Sequence, residues 1–381
     1  MRMLLFVILF LVSFDMHAQT PLLAPYMHVL GASAAMIGFI LGAYGISNLT
    51  GNLIAGPFLD RFPKKWFIAC SLIISGFILT GQGIVTQTEA FLVLRLLLGF
   101  LMAFVSPACF AMLGETGRTR SEQGELMAKN GMVLTAAAVV SPAVGSFLGV
   151  QFGYGPSFVI LGAIMWVTGV FALIVLPGGR KKAEGEEQAI RPASLKLTSV
   201  LENRYLYLAF LGGFALMYAQ GTIIYEIPLY IQRENLSLSV TGILFSLKGL
   251  GAMATLSQFW LARIAPEERT LVGLGLLSVM MYMFAIGLDL SLYISMFLLG
   301  SCVGLLFPAL STILTVHAPR ELYGSAFSIY SAVLSVGAIL APIVAGLIGN
   351  WHHSFFIVFF VTGGALVLGG FHRIAMRGAP N

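Results

Sequence analysis

The chain has 381 residues, of which 58% are apolar and only 10% are charged, and its mean hydropathy is +0.92. A soluble domain carries about 25% charged residues, so this chain has too few to cover a surface in water. The composition therefore excludes an ordinary soluble enzyme, a disordered chain and a disulfide scaffold, and indicates a membrane protein with many spans. A net charge of +5 would suggest nucleic acid in a soluble protein, but here we expect no such partner.

Twelve stretches of the chain are long and apolar enough to cross a bilayer as helices, which takes about 20 residues each. They are residues 3–27, 35–59, 66–85, 90–113, 127–151, 156–177, 204–231, 239–262, 270–288, 291–315, 325–349 and 354–372. The connection at 178–203 is long and dense in charge. The sequence therefore predicts an all-α membrane protein with six spans in residues 1–177, a cytoplasmic charged linker at 178–203 and six spans in residues 204–381.

The basic residues predict the orientation of these spans. If the N-terminus is cytoplasmic, 18 of the 21 Lys and Arg residues lie on the cytoplasmic side, Arg233 lies outside, and Arg95 and Lys248 lie within spans. This distribution follows the positive-inside rule, so we expect both termini in the cytoplasm. We also expect the first span to stay uncleaved, since Met16 stands where a signal peptidase needs a small residue.

The two sets of six spans repeat one another at an offset near 200 residues. The matched pairs include Gly99 with Gly300, Arg120 with Arg320, Pro142 with Pro342, and Gly149 with Gly349. Both sets have six spans and therefore the same orientation. Parallel repeats of this kind build two helical bundles with a substrate site near the middle of the membrane.

The loop after the second span reads Gly56-Pro57-Phe58-Leu59-Asp60-Arg61-Phe62-Pro63-Lys64-Lys65. The positive-inside rule explains its basic residues but not Gly56 and Asp60. The segment resembles the signature G-x-L-x-D-R-x-G-K/R-K/R of the major facilitator superfamily, with Phe58 and Pro63 as departures. The resemblance implies that Asp60 and Arg61 belong to a cytoplasmic latch that holds the two halves together, with Arg118 or Arg120 as partner of the carboxylate.

Arg95 lies in the fourth span, where an arginine costs about 2.5–3.5 kcal/mol on insertion scales. Either it reaches outward to the membrane surface along its aliphatic stem, or it has a function. Arg95 and Gly99 together resemble the R-x-x-x-G signature of the same family, in which the arginine is linked to proton transfer.

The fifth span carries small residues around a proline: Ala137, Ser141, Pro142, Gly145 and Ser146. They resemble the antiporter signature G-x-x-x-G-P-x-x-G-G, with three of its glycines replaced. Proline bends a helix, and small residues let helices approach closely. Either the segment serves packing alone or, as the resemblance implies, it favours export in exchange for protons.

Asp15 lies near the middle of the first span without an obvious structural reason, which makes it a functional candidate. Its position suits a carboxylate that takes up and releases a proton. Gln19 and Tyr26 lie near the same face of the helix. The pair Pro21 and Pro25 resembles the first-span pattern of drug exporters.

The seventh span carries a polar and aromatic stripe at four-residue spacing: Tyr218, Thr222, Glu226 and Tyr230. Either it lines a cavity for a cationic or polar organic substrate, or Glu226 is a carboxylate at the membrane rim. In the eighth span, Lys248 either pairs with Glu226 or meets an anionic substrate.

Asn48, in the second span, either contacts the substrate or forms a hydrogen bond to another helix. We assign it to the substrate cavity together with Gln19. Cys70, Cys109 and Cys302 lie in apolar runs without paired spacing, so neither a disulfide nor a metal site is expected.

The resemblance covers nearly the whole chain and is closest to the bacterial twelve-span drug:proton antiporters. It implies two six-helix bundles, alternating access, and export of a small amphipathic molecule driven by the proton gradient, with no cofactor. Asp15 and Arg95 would handle the proton, and Gly56, Asp60, Arg61, Arg118, Pro142 and Gly145 would set the conformational balance. Family members usually work as monomers.

Three alternatives to drug export remain open. The same fold could export a dedicated metabolite, such as a siderophore or sugar, or import a substrate together with protons. A receptor that transports nothing would leave the charges inside the spans without a purpose. An enzyme is not expected, since no nucleophile and base occur at a suitable spacing.

Overall fold

The computed structural model describes residues 2–116, 120–178, 200, 202–288, 291–319 and 322–377. These residues form α-helices and short turns, with short 3-10 helices at Arg204–Leu206 and Phe259–Arg263, and no strand occurs among them. Twelve helical segments of the described chain are long and apolar enough to cross a membrane. The predicted all-α protein with twelve spans is therefore confirmed.

The first six spans lie within residues 2–175, and the last six within residues 207–377. Spans 1 to 6 are Arg2–Val29, Ala34–Arg61, Lys64–Ile84, Thr88–Glu115, Arg120–Phe152 and Tyr154–Val175. Spans 7 to 12 are Tyr207–Arg233, Leu238–Leu256, Pro266–Ile286, Leu292–His317, Tyr323–Ile348 and Trp351–Arg377.

Span 8 ends six residues earlier than the predicted boundary at 262, because the helix stops at Leu256. The Ser257 hydroxyl donates to the carbonyl of Ala254 at 2.7 Å, and the Trp260 indole donates to the Gln258 side chain at 3.1 Å. The Ser257 bond supplies a partner to one of the last carbonyls of the helix, which have none within it, and the chain continues as the 3-10 helix Phe259–Arg263.

Span 1 is broken at Gln19 into the helices Arg2–Ala18 and Thr20–Val29. Pro21 lies in the first turn of the second helix and Pro25 lies inside it. A proline has no amide hydrogen to donate to the preceding turn and its ring crowds that turn, so a helix bends or breaks there. The break therefore lies one turn beyond Asp15.

The described residues divide into two compact units. The first lies within Met1–Glu186 together with Ile227–Ser246, and the second lies within Glu187–Glu226 together with Leu247–Asn381. We call the end of the first unit that holds Arg2 and the turn at Phe62 its N-terminal face. The end that holds the turns at 30–33 and 85–87 is its opposite face.

Glycine contacts bring the spans of the first unit together. A Cβ on Gly76 would lie 2.6 Å from the carbonyl oxygen of Gly162, and one on Gly155 would lie 2.6 Å from that of Gly83. Spans 3 and 6 therefore touch backbone to backbone at two levels, as small residues allow in membrane helices. Spans 2 and 4, spans 3 and 4, and spans 1 and 5 form the other main pairs of this unit.

The internal repeat is visible in the packing of each unit taken separately. In the first unit Gly99 of span 4 packs on the backbone of Tyr44 in span 2, and in the second unit Gly300 of span 10 packs on the backbone of Lys248 in span 8. Gly99 and Gly300 are partners in the sequence repeat. The same close helix contact therefore recurs in both halves, although one carries a tyrosine and the other a lysine.

Candidate functional site

A polar network lies inside the first unit and joins span 1 to span 4. Asp15, Gln19 and Arg95 are 3%, 2% and 9% exposed. The Gln19 side-chain amide donates to Asp15 Oδ2 at 2.8 Å, and Arg95 Nη1 donates to Gln19 Oε1 at 2.5 Å. Gln19 thus uses both ends of its amide to connect the carboxyl group with the guanidinium group.

Arg95 has a second contact, with the ring of Tyr44 in span 2. Its guanidinium carbon lies 4.9 Å from the ring centroid, a distance at which an arginine is attracted to the face of an aromatic ring. The ring face replaces part of the hydration that the guanidinium group of Arg95 loses on burial. Arg95 is therefore directed into the unit rather than outward along its stem to the membrane surface.

Asp15 keeps one oxygen without a hydrogen bond. Its Oδ1 is buried and has no hydrogen-bond partner among the described residues. Leaving a buried polar atom unpaired costs about 1–3 kcal/mol, and more when the group is charged. Protonation would give the carboxyl group an O–H donor and remove its charge, so the arrangement suits a group that changes its protonation state.

Gly99 explains how Tyr44 comes so close to Arg95. Any Cβ on Gly99 would collide with the backbone oxygen of Tyr44 and the hydroxyl of Ser47. The absent side chain lets span 2 approach span 4 one turn beyond Arg95. The Asn48 amide then donates to the Gly99 carbonyl at 3.1 Å and fixes the register of the two helices.

Gly145 of span 5 packs on span 1 at its break. A Cβ there would collide with the carbonyl of Ala18, the residue before Gln19. Pro142 lies inside the same helix, and the Ser146 hydroxyl donates to the Ala143 carbonyl at 2.9 Å. Two residues expected to set the conformational balance, Pro142 and Gly145, therefore belong to the helix that supports the Gln19 break.

A cavity of about 260 Å³ opens beside the network within the first unit. Tyr44 and Asn48 belong to its lining. The complete lining is Leu9, Val12, Ser13, Met16, Tyr44, Asn48, Asn52, Met102, Ala103, Ser106, Pro107, Phe110 and Leu134. None of these side chains is charged; the polar ones are amides and hydroxyl groups set among methionine, aromatic and aliphatic side chains. Tyr44 thus contacts Arg95 and also lines the cavity.

The stripe predicted on span 7 is largely buried. Tyr218 is 5%, Thr222 is 1% and Glu226 is 1% exposed, all in the second unit. Glu226 is therefore not an exposed carboxylate at the rim. Tyr230 belongs to the first unit and is half-buried.

Lys248 donates to the side-chain oxygen of Gln220 at 2.7 Å within the second unit. Gln220 lies 201 residues after Gln19, at the offset of the repeat. Each unit therefore contains a glutamine on its first helix that accepts a hydrogen bond from a cation. Sequence reasoning did not single out Gln220 or Tyr44, although the repeat offset points from Gln19 to Gln220.

The predicted latch lies largely outside what the structure describes. Arg118 lies outside the described residues, as do the side chains of Asp60 and Arg61 and the surroundings of Gly56. Near the same face, Arg2 lies 2.6 Å from a carboxylate oxygen of Glu122, and its Nε donates to the Thr116 hydroxyl at 3.1 Å. Such a partly exposed ion pair contributes at most about 1 kcal/mol.

Comparison with known proteins gives one family and several relatives. A sequence model described as the Major Facilitator Superfamily matches residues 5–293 and 271–378. Multidrug resistance protein MdtG of Rahnella sp. (strain Y9602) is 27% identical over 361 residues, covering 90% of this chain and 85% of the relative. MdtG of Klebsiella pneumoniae (strain 342) is 24% identical, covering 91% and 85%.

Solved structures share the fold at low identity. The nucleoside transporter NupG superposes with a TM-score of 0.78 at 18% identity, over 100% of this chain and 99% of that one. A bacterial homolog of the human lysosomal transporter Spinster, in an inward-facing and unoccupied conformation, gives a TM-score of 0.77 at 16% identity, over 99% and 96%. At these identities the likeness establishes the fold alone.

Proposed function

The chain belongs to the Major Facilitator Superfamily, and we propose that it is a proton-coupled antiporter that exports small amphipathic organic molecules. The family makes it a multi-pass membrane transporter for small molecules. The observation that carries the finer proposal is the contact of one residue, Tyr44, with both the Arg95 network and the uncharged cavity. A transporter that couples two flows needs such a link between the proton site and the substrate site.

Asp15 is the proton carrier in this proposal. With Asp15 ionised, its charge offsets that of Arg95 through Gln19, and the network is neutral. With Asp15 protonated, the network has a net positive charge beside the cavity. Proton uptake therefore changes the field felt by Arg95 and, through the Tyr44 ring, the environment of the substrate.

The lining of the cavity favours an uncharged amphipathic substrate with an aromatic part. An ion entering this cavity would lose water without meeting an opposite charge on the wall, and that is costly in an apolar setting. Met16, Met102 and Phe110 offer polarisable and aromatic surface, and Asn48 and Ser13 offer hydrogen bonds. Of the cationic or polar substrate that the span 7 stripe suggested, the cavity lining therefore favours the polar, uncharged one.

The remaining candidates keep proposed roles. Tyr218, Thr222, Glu226 and Lys248 keep a proposed role as hydrogen-bonding groups for the polar part of the substrate within the second unit, and Tyr230 keeps one within the first. Gly56, Asp60, Arg61, Arg118, Pro142 and Gly145 keep the proposed control of the conformational balance. We propose that the N-terminal face of the first unit is cytoplasmic, since the basic residues lie there. Export is supported by the antiporter-like segment around Pro142, and it agrees with the MdtG relatives' name of multidrug resistance proteins.

The experiment measures efflux of a matched pair of fluorophores from energised cells. N-phenylnaphthylamine is an uncharged aromatic amphipath, and anilinonaphthalene sulfonate has the same ring system with an added negative charge. We expect wild type to expel the uncharged probe, and a protonophore to stop the efflux. Uptake of the probe instead of efflux would contradict export, and efflux of the sulfonate alone would contradict the uncharged substrate class.

Two variants on span 4 connect this flux to the cavity. Ser106→Phe fills the cavity, whereas Val93→Phe adds the same ring at a position that is 55% exposed on the outer surface of the helix. We expect Ser106→Phe to lose efflux and Val93→Phe to keep it. Equal efflux by both variants would place the substrate elsewhere.

A further inference from the structure

Four aromatic rings form a cluster inside the first unit, which we call the aromatic cap: Tyr26, Phe91, Tyr154 and Phe158. The Tyr26 ring lies 5.5 Å from Phe158, 5.7 Å from Tyr154 and 5.9 Å from Phe91, centroid to centroid. Phe91 and Phe158 are fully buried and Tyr26 is 7% exposed. Rings at these distances attract one another and pack densely.

The cap covers the polar network on one side. Phe91 precedes Arg95 by one helical turn on span 4, and Tyr26 follows Gln19 by seven residues on span 1. Both steps lead from the network towards the opposite face of the unit. The cap therefore lies between Asp15 and that face.

A cavity lies on each side of this arrangement within the first unit. The cavity of about 260 Å³ reaches Tyr44, on the network side. A second cavity of about 230 Å³ reaches Pro25 and Tyr154, on the far side of the cap. Tyr154 thus lines the second cavity and also stacks on Tyr26, the ring of the cap that lies on span 1 with Gln19.

Close packing of the backbone holds the cap together. Gly83 and Gly155 bring spans 3 and 6 into backbone contact, and a Cβ on Gly155 would lie 3.5 Å from the Tyr26 hydroxyl. That hydroxyl lies 3.4 Å from the carbonyl oxygens of Gln82 and Gly83. The Tyr26 hydroxyl is thus directed at backbone carbonyls rather than at the network.

We propose that, within the first unit, the aromatic cap is the barrier that prevents protons from reaching Asp15 from the opposite face, so that Asp15 exchanges protons on the side of the Tyr44 cavity. This rests on the proposed function, in which Asp15 is the proton carrier. Without the barrier Asp15 would be open to both faces, and protons would cross without substrate.

The test measures proton leak in proteoliposomes that contain a pH-sensitive dye and an imposed gradient, with no substrate added. We expect Tyr26→Ala to raise the leak about ten-fold, equivalent to lowering the barrier by about 1.4 kcal/mol. Tyr154→Ala, at a half-buried position, is the second variant if Tyr26→Ala does not fold. Tyr26→Phe keeps the ring and should leak no more than wild type.

The matched control lies in the second unit, where Phe284, Trp351 and Phe355 form a similar cluster with centroids 4.6–5.9 Å apart. Phe355→Ala removes a fully buried ring there and should not leak. A folded Tyr26→Ala or Tyr154→Ala variant with wild-type leak overturns the proposal, and so does an equal leak in Phe355→Ala.

A double variant separates this proposal from the proposed function. If Asp15 carries the leaking protons, Tyr26→Ala combined with Asp15→Asn returns the leak to the wild-type rate, which supports both. A leak that persists in the double variant supports the cap as a barrier and contradicts Asp15 as the proton carrier.

Discussion

Gln19 is the residue on which the buried network depends, because Asp15 and Arg95 are joined through its amide. A neutral amide between two charges holds both in place without fixing either protonation state. The glutamine therefore positions the two groups, and the carboxyl group of Asp15 remains the part that takes up a proton. Gln19 keeps helical backbone angles (φ −72°, ψ −23°) and follows Asp15 by four residues, so the two side chains share one face of span 1.

Replacing Gln19 by leucine should uncouple the network. The leucine is similar in size but leaves Asp15 Oδ2 and Arg95 Nη1 without the hydrogen bonds that Gln19 makes to them, and an unpaired buried group costs about 1–3 kcal/mol. We expect substrate-driven proton release in inside-out vesicles to fall about ten-fold. Thr168→Val is the control, since Thr168 is buried in the same unit but bonds only within its own helix. Equal losses in both variants would mean a general packing defect.

Replacing Arg95 by lysine should also fail, although the charge is kept. The planar guanidinium group both donates to Gln19 and lies over the Tyr44 ring, whereas an ammonium group is compact and holds water more strongly. We expect Arg95→Lys to be produced and folded but to transport at about one tenth of the wild-type rate or less. Wild-type transport by Arg95→Lys would reduce the role of Arg95 to that of a simple positive charge.

The sequence predicts some of these residues and not others, for a physical reason. Asp15 and Arg95 attract notice because a charge inside a span needs an explanation. Tyr44 and Gln220 carry no such signal, since tyrosine and glutamine occur in spans without special cost. Their roles depend on which helix face meets which neighbour, and that depends on tertiary contacts such as Gly99 on Tyr44.

At the scale of the helix, the position of span 1 depends on its contact with span 5. Gly145 touches the carbonyl of Ala18, so the break at Gln19 is held by backbone contact. The sequence predicts the small residues around Pro142 from their spacing. It does not show that they face span 1, because a helix with small residues on several sides has more than one packing face.

A valine at position 145 should therefore destabilise the protein. Its Cβ would overlap the Ala18 backbone, which cannot move aside as a flexible side chain can, and overpacking costs about 1–3 kcal/mol. We expect a clearly lower midpoint in a thermal unfolding scan of the purified protein. Gly131→Val on the same span is the control, since a Cβ there has open space. A Gly145→Val protein as stable as Gly131→Val would contradict the described contact.

At the scale of the whole molecule, the repeat links sequence and structure most directly. The matches near an offset of 200 correspond to equivalent helix contacts inside each unit, at Gly99 and at Gly300. The twelve spans follow from hydropathy alone, since a bilayer requires long apolar helices. The end of span 8 does not, because apolar residues continue beyond the point where the helix stops.

The proposed orientation can be tested by cysteine labelling in intact cells. With Cys70 changed to serine, Thr86→Cys places a thiol on the proposed outer side and Ala265→Cys places one on the cytoplasmic side; both positions are exposed. We expect a membrane-impermeant maleimide to label Thr86→Cys in intact cells, and Ala265→Cys only after the membrane is opened. The reverse pattern would invert the topology.

Proton release from inside-out vesicles tests the central claim most directly. Vesicles with an imposed proton gradient would receive N-phenylnaphthylamine, with a pH-sensitive dye as readout, for wild type and for Asp15→Asn. Our account predicts proton release triggered by the probe in wild type and none in Asp15→Asn, with both proteins present and folded. Release that persists in Asp15→Asn would contradict the proton-carrying role of Asp15, and no release in either would contradict proton-coupled antiport of this substrate.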